Sequence, residues 1–107
     1  MLAYLLMAFE KVAAPGAVAP GEMVEIRRGE QRMVLCHAGG EVRALDGCCP
    51  HAGGPLAQGA LHGTAIVCPW HAWEFDCRTG EHDFNPRVRL QIYPVEVRDD
   101  GIYVDCD

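Results

Sequence analysis

The sequence predicts an all-β domain of antiparallel sheets, and three observations support this fold class. Glycine and proline, 12 and 7 of the 107 residues, divide the chain into short segments, as in domains whose strands are linked by turns. Residues 93–98 alternate apolar and polar side chains, which is the pattern of a strand with one buried face. No segment carries a helical repeat of apolar residues over three turns. The length and the lack of a long linker predict a single domain over residues 1–107.

Nine segments rich in β-branched, aromatic or alternating residues are predicted to be strands. The last two are the clearest, because Asp99-Asp100-Gly101 between them is a typical hairpin turn. Gly39-Gly40 predicts a second tight turn by the same argument. In chain order the predicted strands are Phe9–Ala13, Met23–Arg27, Arg32–His37, Val42–Asp46, Ala65–Cys68, Trp73–Cys77, Val88–Ile92, Tyr93–Arg98 and Ile102–Asp105.

Charge and hydropathy exclude several classes of partner. The net charge of −6 argues against nucleic acid, whose phosphates require a surplus of Lys and Arg, and favours a basic protein partner. The longest apolar stretches are too short for a membrane span, which takes about 20 residues. The apolar start, residues 1–9, lacks the positive flank of a signal peptide and is read as a start-site extension or a lead into the first strand. Six cysteines without a signal peptide favour the reducing cytoplasm.

Two Cys/His pairs stand where predicted strands end. Cys49-Pro50-His51 follows the strand that ends at Asp46, and sixteen residues separate His51 from Cys68-Pro69-Trp70-His71. Thiolates and neutral imidazoles together suit iron or zinc better than magnesium or calcium. The two prolines stiffen the backbone beside the ligands. The sequence therefore predicts a four-ligand metal site, made by Cys49, His51, Cys68 and His71 on two loops at about residues 47–56 and 68–73.

This arrangement resembles the signature of the Rieske [2Fe–2S] family, which is Cys-x-His, a spacer of about this length, and Cys-x-x-His. The resemblance continues through Gly53-Gly54-Pro55-Leu56 and through residues 71–76 and 79–80. It implies a Rieske-type fold in which two loops form a small cluster-binding subdomain for one [2Fe–2S] cluster. Cys49 and Cys68 would bind the inner iron, and His51 and His71 the outer iron. Two neutral imidazoles in place of thiolates raise the potential to about −150 to +300 mV.

Two departures from the family pattern bear on the site. High-potential members carry an additional cysteine on each loop, joined as a disulfide, where this chain has Gly54 or a neighbour and Trp70. With neither that disulfide nor a serine hydroxyl after His71, we expect a potential in the lower part of the range. Ala72 stands where glycine is frequent in the family. If this position requires a positive φ, an alanine there is strained.

The resemblance implies an electron carrier that is not itself an enzyme. The chain has no Rossmann glycine loop for a nucleotide and no second domain for a two-His-one-carboxylate iron site. It resembles soluble, cytoplasmic ferredoxins that take electrons from an NAD(P)H-dependent flavoprotein reductase. Such ferredoxins pass them to a terminal oxygenase of the aromatic-ring-hydroxylating type. We expect a monomer.

Two alternatives remain open at this point. The first is a small Rieske-like subunit of an assimilatory nitrite reductase. The second is a structural zinc module, because Cys48-x-x-His51 has the same spacing as Cys68-x-x-His71. The other cysteines are interpreted as packing residues, Cys48 beside the site and Cys36, Cys77 and Cys106 as buried, unreactive thiols on strands. The remaining histidines are expected in turns or at the surface: His37, His62 and His82.

Overall fold

The computed structural model describes residues 8–50 and 53–106. These residues form ten strands and one short 3₁₀ helix, in three sheets whose strand pairs are all antiparallel, which confirms the predicted fold class. The predictions for residues 1–7 and for His51 lie outside the described residues. The elements are β1 Phe9–Ala13, β2 Met23–Arg28, β3 Gln31–Ala38, β4 Glu41–Asp46, the 3₁₀ helix Leu56–Gln58, β5 Ala60–His62, β6 Ala65–Val67, β7 Glu74–Asp76, β8 Ile92–Tyr93, β9 Val95–Arg98 and β10 Gly101–Asp105.

The four-stranded base sheet has the order β2-β3-β4-β8. Its inner strand β3 contributes Met33, Val34 and Leu35, which are fully buried. The turn from β3 to β4 is the predicted glycine pair, with φ values of 61° and 79° at Gly39 and Gly40. Two successive positive φ values match the right-handed twist of the flanking strands, so the hairpin closes with only two residues between its strands.

A second sheet, β1-β10-β9, covers one part of the base sheet. Its outer strand β1 pairs with β10, with Phe9 opposite Asp105. The predicted hairpin before β10 is confirmed, because Arg98 pairs with Gly101 across the two aspartates. Ile102 and Val104 are buried in a core that also holds base-sheet residues such as Leu35. Burial of these side chains holds the two sheets together.

The third sheet, β5-β6-β7, lies in an insertion between β4 and β8. Since Leu45 of β4 pairs with Ile92 of β8, the insertion starts and ends on neighbouring strands of the base. A second core joins the two parts, with Val34 from the base and Ile66 and Phe75 from the insertion, all fully buried. The insertion carries both predicted ligand loops.

Three features of the strand prediction were wrong. The predicted strand Val88–Ile92 is irregular up to β8, because the N–H of Val88 closes a turn on Asn85 and the N–H of Leu90 bonds to Gly80. Pro94 lacks an N–H and separates β8 from β9, so residues 93–98 are not one strand. The short strand β5 was missed, since three residues show no periodicity. No helix among the described residues is long and apolar enough to span a membrane.

Candidate metal centre

The structure buries the two predicted thiolate ligands in one core. Cys49 and Cys68 are each 1% exposed and belong to the cluster of side chains that joins the insertion to the base sheet. His71, by contrast, is exposed. The described residues contain no group of three metal-ligating side chains close enough to hold a single ion. Two buried thiols and an exposed imidazole fit a cluster that thiolates would hold on its buried side and imidazole at the surface.

The first loop is closed by two backbone hydrogen bonds that both involve Cys49. The Cys49 N–H donates to the carbonyl of Gly54 at 2.8 Å, and the Gly53 N–H donates to the carbonyl of Cys49 at 2.7 Å. Gly53 has a φ of 75°, in the left-handed region that glycine adopts at little cost. These hydrogen bonds and the left-handed Gly53 therefore fix the backbone around Cys49.

The second loop repeats this pattern around Cys68. The Cys68 N–H donates to the carbonyl of Trp73 at 2.8 Å, and the Ala72 N–H donates to the carbonyl of Cys68 at 3.0 Å. Ala72 has a φ of 56° and is the one non-glycine residue with a positive φ in the described part of the chain. The left-handed conformation costs an L-residue about 1–2 kcal/mol. The concern raised by the sequence at this position is therefore confirmed, since the loop does require a positive φ there.

The two loops touch each other at Gly54. A Cβ atom on Gly54 would lie 2.9 Å from the Sγ of Cys68 and 3.2 Å from the Trp70 ring. Any side chain at this position would therefore push on a predicted ligand. Gly54 therefore packs against the indole of Trp70, which is itself 57% exposed.

The imidazole of His82 packs against Trp73 at the end of the second loop. The expectation of a turn or surface position for His82 was therefore wrong. The side chain is only 8% exposed, and its ring centroid lies 4.4 Å from that of Trp73. Its Nδ1 accepts hydrogen bonds from the backbone N–H groups of Phe84 and Asn85, at 3.3 and 3.2 Å. The polar residues on either side of His82 in the sequence gave no sign of this burial.

The remaining cysteines and histidines lie as follows. Cys36, Cys77 and Cys106 are buried, as expected. Cys48 is only half-buried and is absent from the core that holds Cys49, which favours Cys49 as the ligand. The last two histidines are on strands, where His37 Nδ1 lies 3.0 Å from the Val18 carbonyl and His62 is exposed.

Comparison with known proteins agrees with this geometry. The family model of the Rieske [2Fe-2S] domain matches residues 8–94. The ferredoxin component of biphenyl 2,3-dioxygenase from Rhodococcus jostii is 33% identical over 102 residues, which cover 94% of this chain and 95% of that protein. Among these matched residues are both candidate ligand loops.

Two solved structures are informative. The complex of reduced oxygenase and oxidized ferredoxin in carbazole 1,9a-dioxygenase contains a chain that is 30% identical, with a TM-score of 0.82 and coverage of 91% of this chain and 92% of that one. The small subunit of a putative NADH-dependent nitrite reductase from Mycobacterium tuberculosis is 20% identical, with a TM-score of 0.80 and coverage of 92% and 95%. The second likeness shows the fold alone.

Proposed function

Since the chain belongs to the Rieske [2Fe–2S] domain family, we propose that it is a one-electron carrier between a flavoprotein reductase that oxidises NAD(P)H and a terminal oxygenase of the aromatic-ring-hydroxylating type. The observation that carries this proposal is the extent of the match. A ferredoxin component of a dioxygenase is covered over 95% of its length, so the relative has no additional catalytic domain. Catalysis then belongs to the partners, and this chain supplies electrons.

The ligand set of this proposal is Cys49 and Cys68 on the inner iron and His51 and His71 on the outer iron. Burial of both thiols, beside an exposed His71, supports this division. The Rieske-type cluster, when bound, accepts and releases one electron. The residues around Cys49 and Cys68 exclude water from the two thiolates, whereas the exposed His71 is open to a partner. The electron can therefore pass to the partner through the imidazole.

The loop geometry supports fast and moderately low-potential electron transfer. Four backbone hydrogen bonds hold the loops at Cys49 and Cys68, so the ligands have little freedom to move when the charge changes. Hydrogen bonds to the sulfur atoms of a cluster raise its potential. Without a serine hydroxyl beside the second loop, we infer a potential in the lower part of the Rieske range.

The surface supports a basic partner. The net charge is −6, and four carboxylates line a cleft of about 340 Å³ beside β7, namely Glu74, Asp76, Glu81 and Asp83. Exposed Trp70 and Phe84 add apolar contact area. We infer that the chain works as a single-domain monomer, and that its six cysteines, none of which is in a disulfide, suit the reducing cytoplasm.

Reconstitution of the electron-transfer pathway from purified proteins tests the proposal. The purified protein should be brown, bleach on reduction with dithionite and give the EPR signal of a mixed His/Cys [2Fe–2S] centre. Mixed with NADH, a ferredoxin reductase and a Rieske oxygenase, it should support substrate turnover that stops when it is omitted. A protein with the cluster that neither accepts electrons from such a reductase nor passes them to an oxygenase would overturn the carrier function.

A nitrite reductase subunit is the second candidate, supported by the shared fold alone. It would co-purify with a large partner that carries flavin and sirohaem, whereas a ferredoxin exchanges between partners. Size-exclusion chromatography of the protein from its native cells separates the two cases. A colourless protein with one zinc per chain would instead support the zinc module.

A further inference from the structure

Two cysteines outside the ligand loops meet at the boundary between the base sheet and the insertion. Cys36 lies on β3, and Cys77 directly follows β7. Both are fully buried in the core that joins the two parts, and their thiols are hydrogen-bonded to each other. They are 41 positions apart in the sequence, so no local pattern predicts this contact.

The guanidinium of Arg43 provides positive charge at this thiol pair. Arg43 lies opposite Cys36 in the β3–β4 ladder, and one of its Nη atoms binds the Glu41 carboxylate at 2.8 Å. Its Nε is buried and has no hydrogen-bond partner. A buried donor of this kind is costly unless an acceptor reaches it. A thiolate on the neighbouring pair would be such an acceptor.

The hydrogen bond between the two thiols raises the pKa of one and lowers the pKa of the other. The thiol of Cys36 donates to Cys77 and, together with the charge of Arg43, lowers the pKa of Cys77 to about 7. The same hydrogen bond, with burial, raises the pKa of Cys36. Arg78 also favours the Cys77 thiolate, whereas the Asp76 carboxylate opposes it. The proton of Cys77 therefore dissociates at a lower pH than that of an ordinary thiol, whereas Cys36 retains its proton.

We propose that Cys36 and Cys77 form an oxidisable dithiol, distinct from the cluster ligands, that a hydroperoxide converts to a disulfide. The Cys77 thiolate attacks a peroxide oxygen, so that an S–O bond forms, the O–O bond breaks and hydroxide leaves, to be protonated to water. The Cys36 sulfur then attacks the sulfenic sulfur, the S–S bond forms, and the S–O bond breaks. The second hydroxide takes the Cys36 proton and leaves as water. Two thiols lose two electrons and two protons, and hydrogen peroxide becomes two waters.

Burial of the two thiols limits the size of the oxidant that can react with them. Both side chains are inaccessible to solvent, so any oxidant must enter through an opening of the core, and a small uncharged hydroperoxide needs the smallest opening. A bulky disulfide such as oxidised glutathione cannot react with them, because exchange requires its sulfur to align with the attacking thiolate. We therefore expect oxidation by hydrogen peroxide and resistance to glutathione disulfide.

The cross-link would enclose the metal site. The loop between the two cysteines, residues 37–76, contains β4 and both candidate ligand loops. A disulfide would therefore tie the insertion to the base sheet at Cys77, in addition to its chain connections to β4 and β8. Closing a long loop restricts the unfolded chain, so the oxidised protein should unfold at a higher urea concentration.

Disulfide mapping of the holoprotein tests the proposal. The protein is treated with hydrogen peroxide in small excess while its visible absorbance reports the cluster, then alkylated, digested and analysed by mass spectrometry. We expect a Cys36–Cys77 linked peptide pair, the loss of two alkylatable thiols per chain and their return on treatment with a phosphine, all with the cluster absorbance retained. Glutathione disulfide should give no such link.

Matched variants identify the pair. Cys36→Ser and Cys77→Ser should abolish the link, whereas Cys106→Ser, which replaces another buried thiol, should leave it. Arg43→Gln should slow the oxidation about fivefold at pH 7, because a rise of about one unit in the Cys77 pKa lowers the thiolate fraction from about one half to about one tenth. Arg43→Lys should retain most of the rate. The proposal is overturned if Cys36 and Cys77 remain alkylatable, or if their link forms only after the cluster has bleached. An unchanged rate in Arg43→Gln would contradict activation by the guanidinium.

Discussion

The loop after β4 and the loop after β6 close with the same hydrogen bonds, counted from their cysteines. In each, the cysteine carbonyl accepts from the residue four positions later, and the cysteine N–H donates to the carbonyl five positions later. The left-handed position is Gly53 in the first loop and Ala72 in the second. The next position is Gly54 in the first and Trp73 in the second. The backbone is thus duplicated, while the side chains differ.

This difference shows which features each loop needs. The first loop must leave room, because Gly54 lies against the Cys68 sulfur and Trp70. The second loop needs a large side chain that shields the core, because Trp73 packs against the core and against His82. The histidines also differ in spacing, at two residues after Cys49 and three after Cys68. The shared backbone therefore carries its cysteines at equivalent positions, whereas the histidines follow at different spacings in the sequence.

Loss of either thiolate should have the largest effect. Cys68→Ser should abolish the visible absorbance and the iron content, because the cluster loses a ligand and metal binding is coupled to folding. Cys49→Ser should be equally severe if the loops are equivalent. Cys48→Ser is the matched control, since Cys48 lies beside a proposed ligand but outside its core. A colourless Cys48→Ser protein would show that the ligand assignment on the first loop is wrong.

A methyl group at Gly54 should have the next largest effect. In Gly54→Ala the new Cβ would displace the Cys68 sulfur or the Trp70 ring, which costs about 1–3 kcal/mol in a well-packed site. We expect a lower midpoint of urea unfolding and a shifted EPR spectrum. Gly16→Ala serves as control, because a Cβ there meets nothing within 4 Å. An unchanged EPR spectrum would mean that the two loops are not in contact at Gly54.

Gly53→Ala should isolate the cost of backbone strain. Nothing lies within 4 Å of a Cβ at Gly53, so packing is unaffected, but the positive φ costs an alanine about 1–2 kcal/mol. The urea midpoint should fall while the EPR spectrum stays the same. If the midpoint does not change, the loop can close without the left-handed conformation at this position.

Ala72→Gly should give the smallest effect and the opposite sign. Glycine removes the strain at φ 56°, but the freer unfolded chain offsets part of the gain, which leaves about 0.5 kcal/mol of stabilisation. The urea midpoint should rise slightly at unchanged cluster content. Destabilisation by this change would mean that the Ala72 methyl makes contacts worth more than the strain that it carries.

The sequence predicted the features that depend on local chemistry. The hairpin turns at Gly39-Gly40 and Asp99-Asp100 follow from glycine and aspartate in short turns, and both are present. The strain at Ala72 was anticipated because a family resemblance places glycine there. The two candidate ligand loops were predicted from their Cys/His spacing, and the structure buries Cys49 and Cys68 in one core.

The features that the sequence did not predict depend on tertiary contact. Burial of His82 follows from its ring partners Trp73 and Phe75, which reach it through the fold. The contact between Cys36 and Cys77 depends on how the insertion packs on β3. The equal closure of the two loops was hidden, because Gly53 and Ala72 differ in type and their histidines differ in spacing.

The pairing of β1 with β10 bears on how this unit can be combined with others. Because Phe9 lies opposite Asp105, the first described strand and the last run side by side. A longer polypeptide could therefore carry the whole unit in one surface loop, with the incoming and outgoing chain separated by a single strand spacing. Insertion of the domain at such a loop requires little rearrangement of the receiving protein. The same electron-transfer domain can therefore serve as a separate protein or as one part of a larger one.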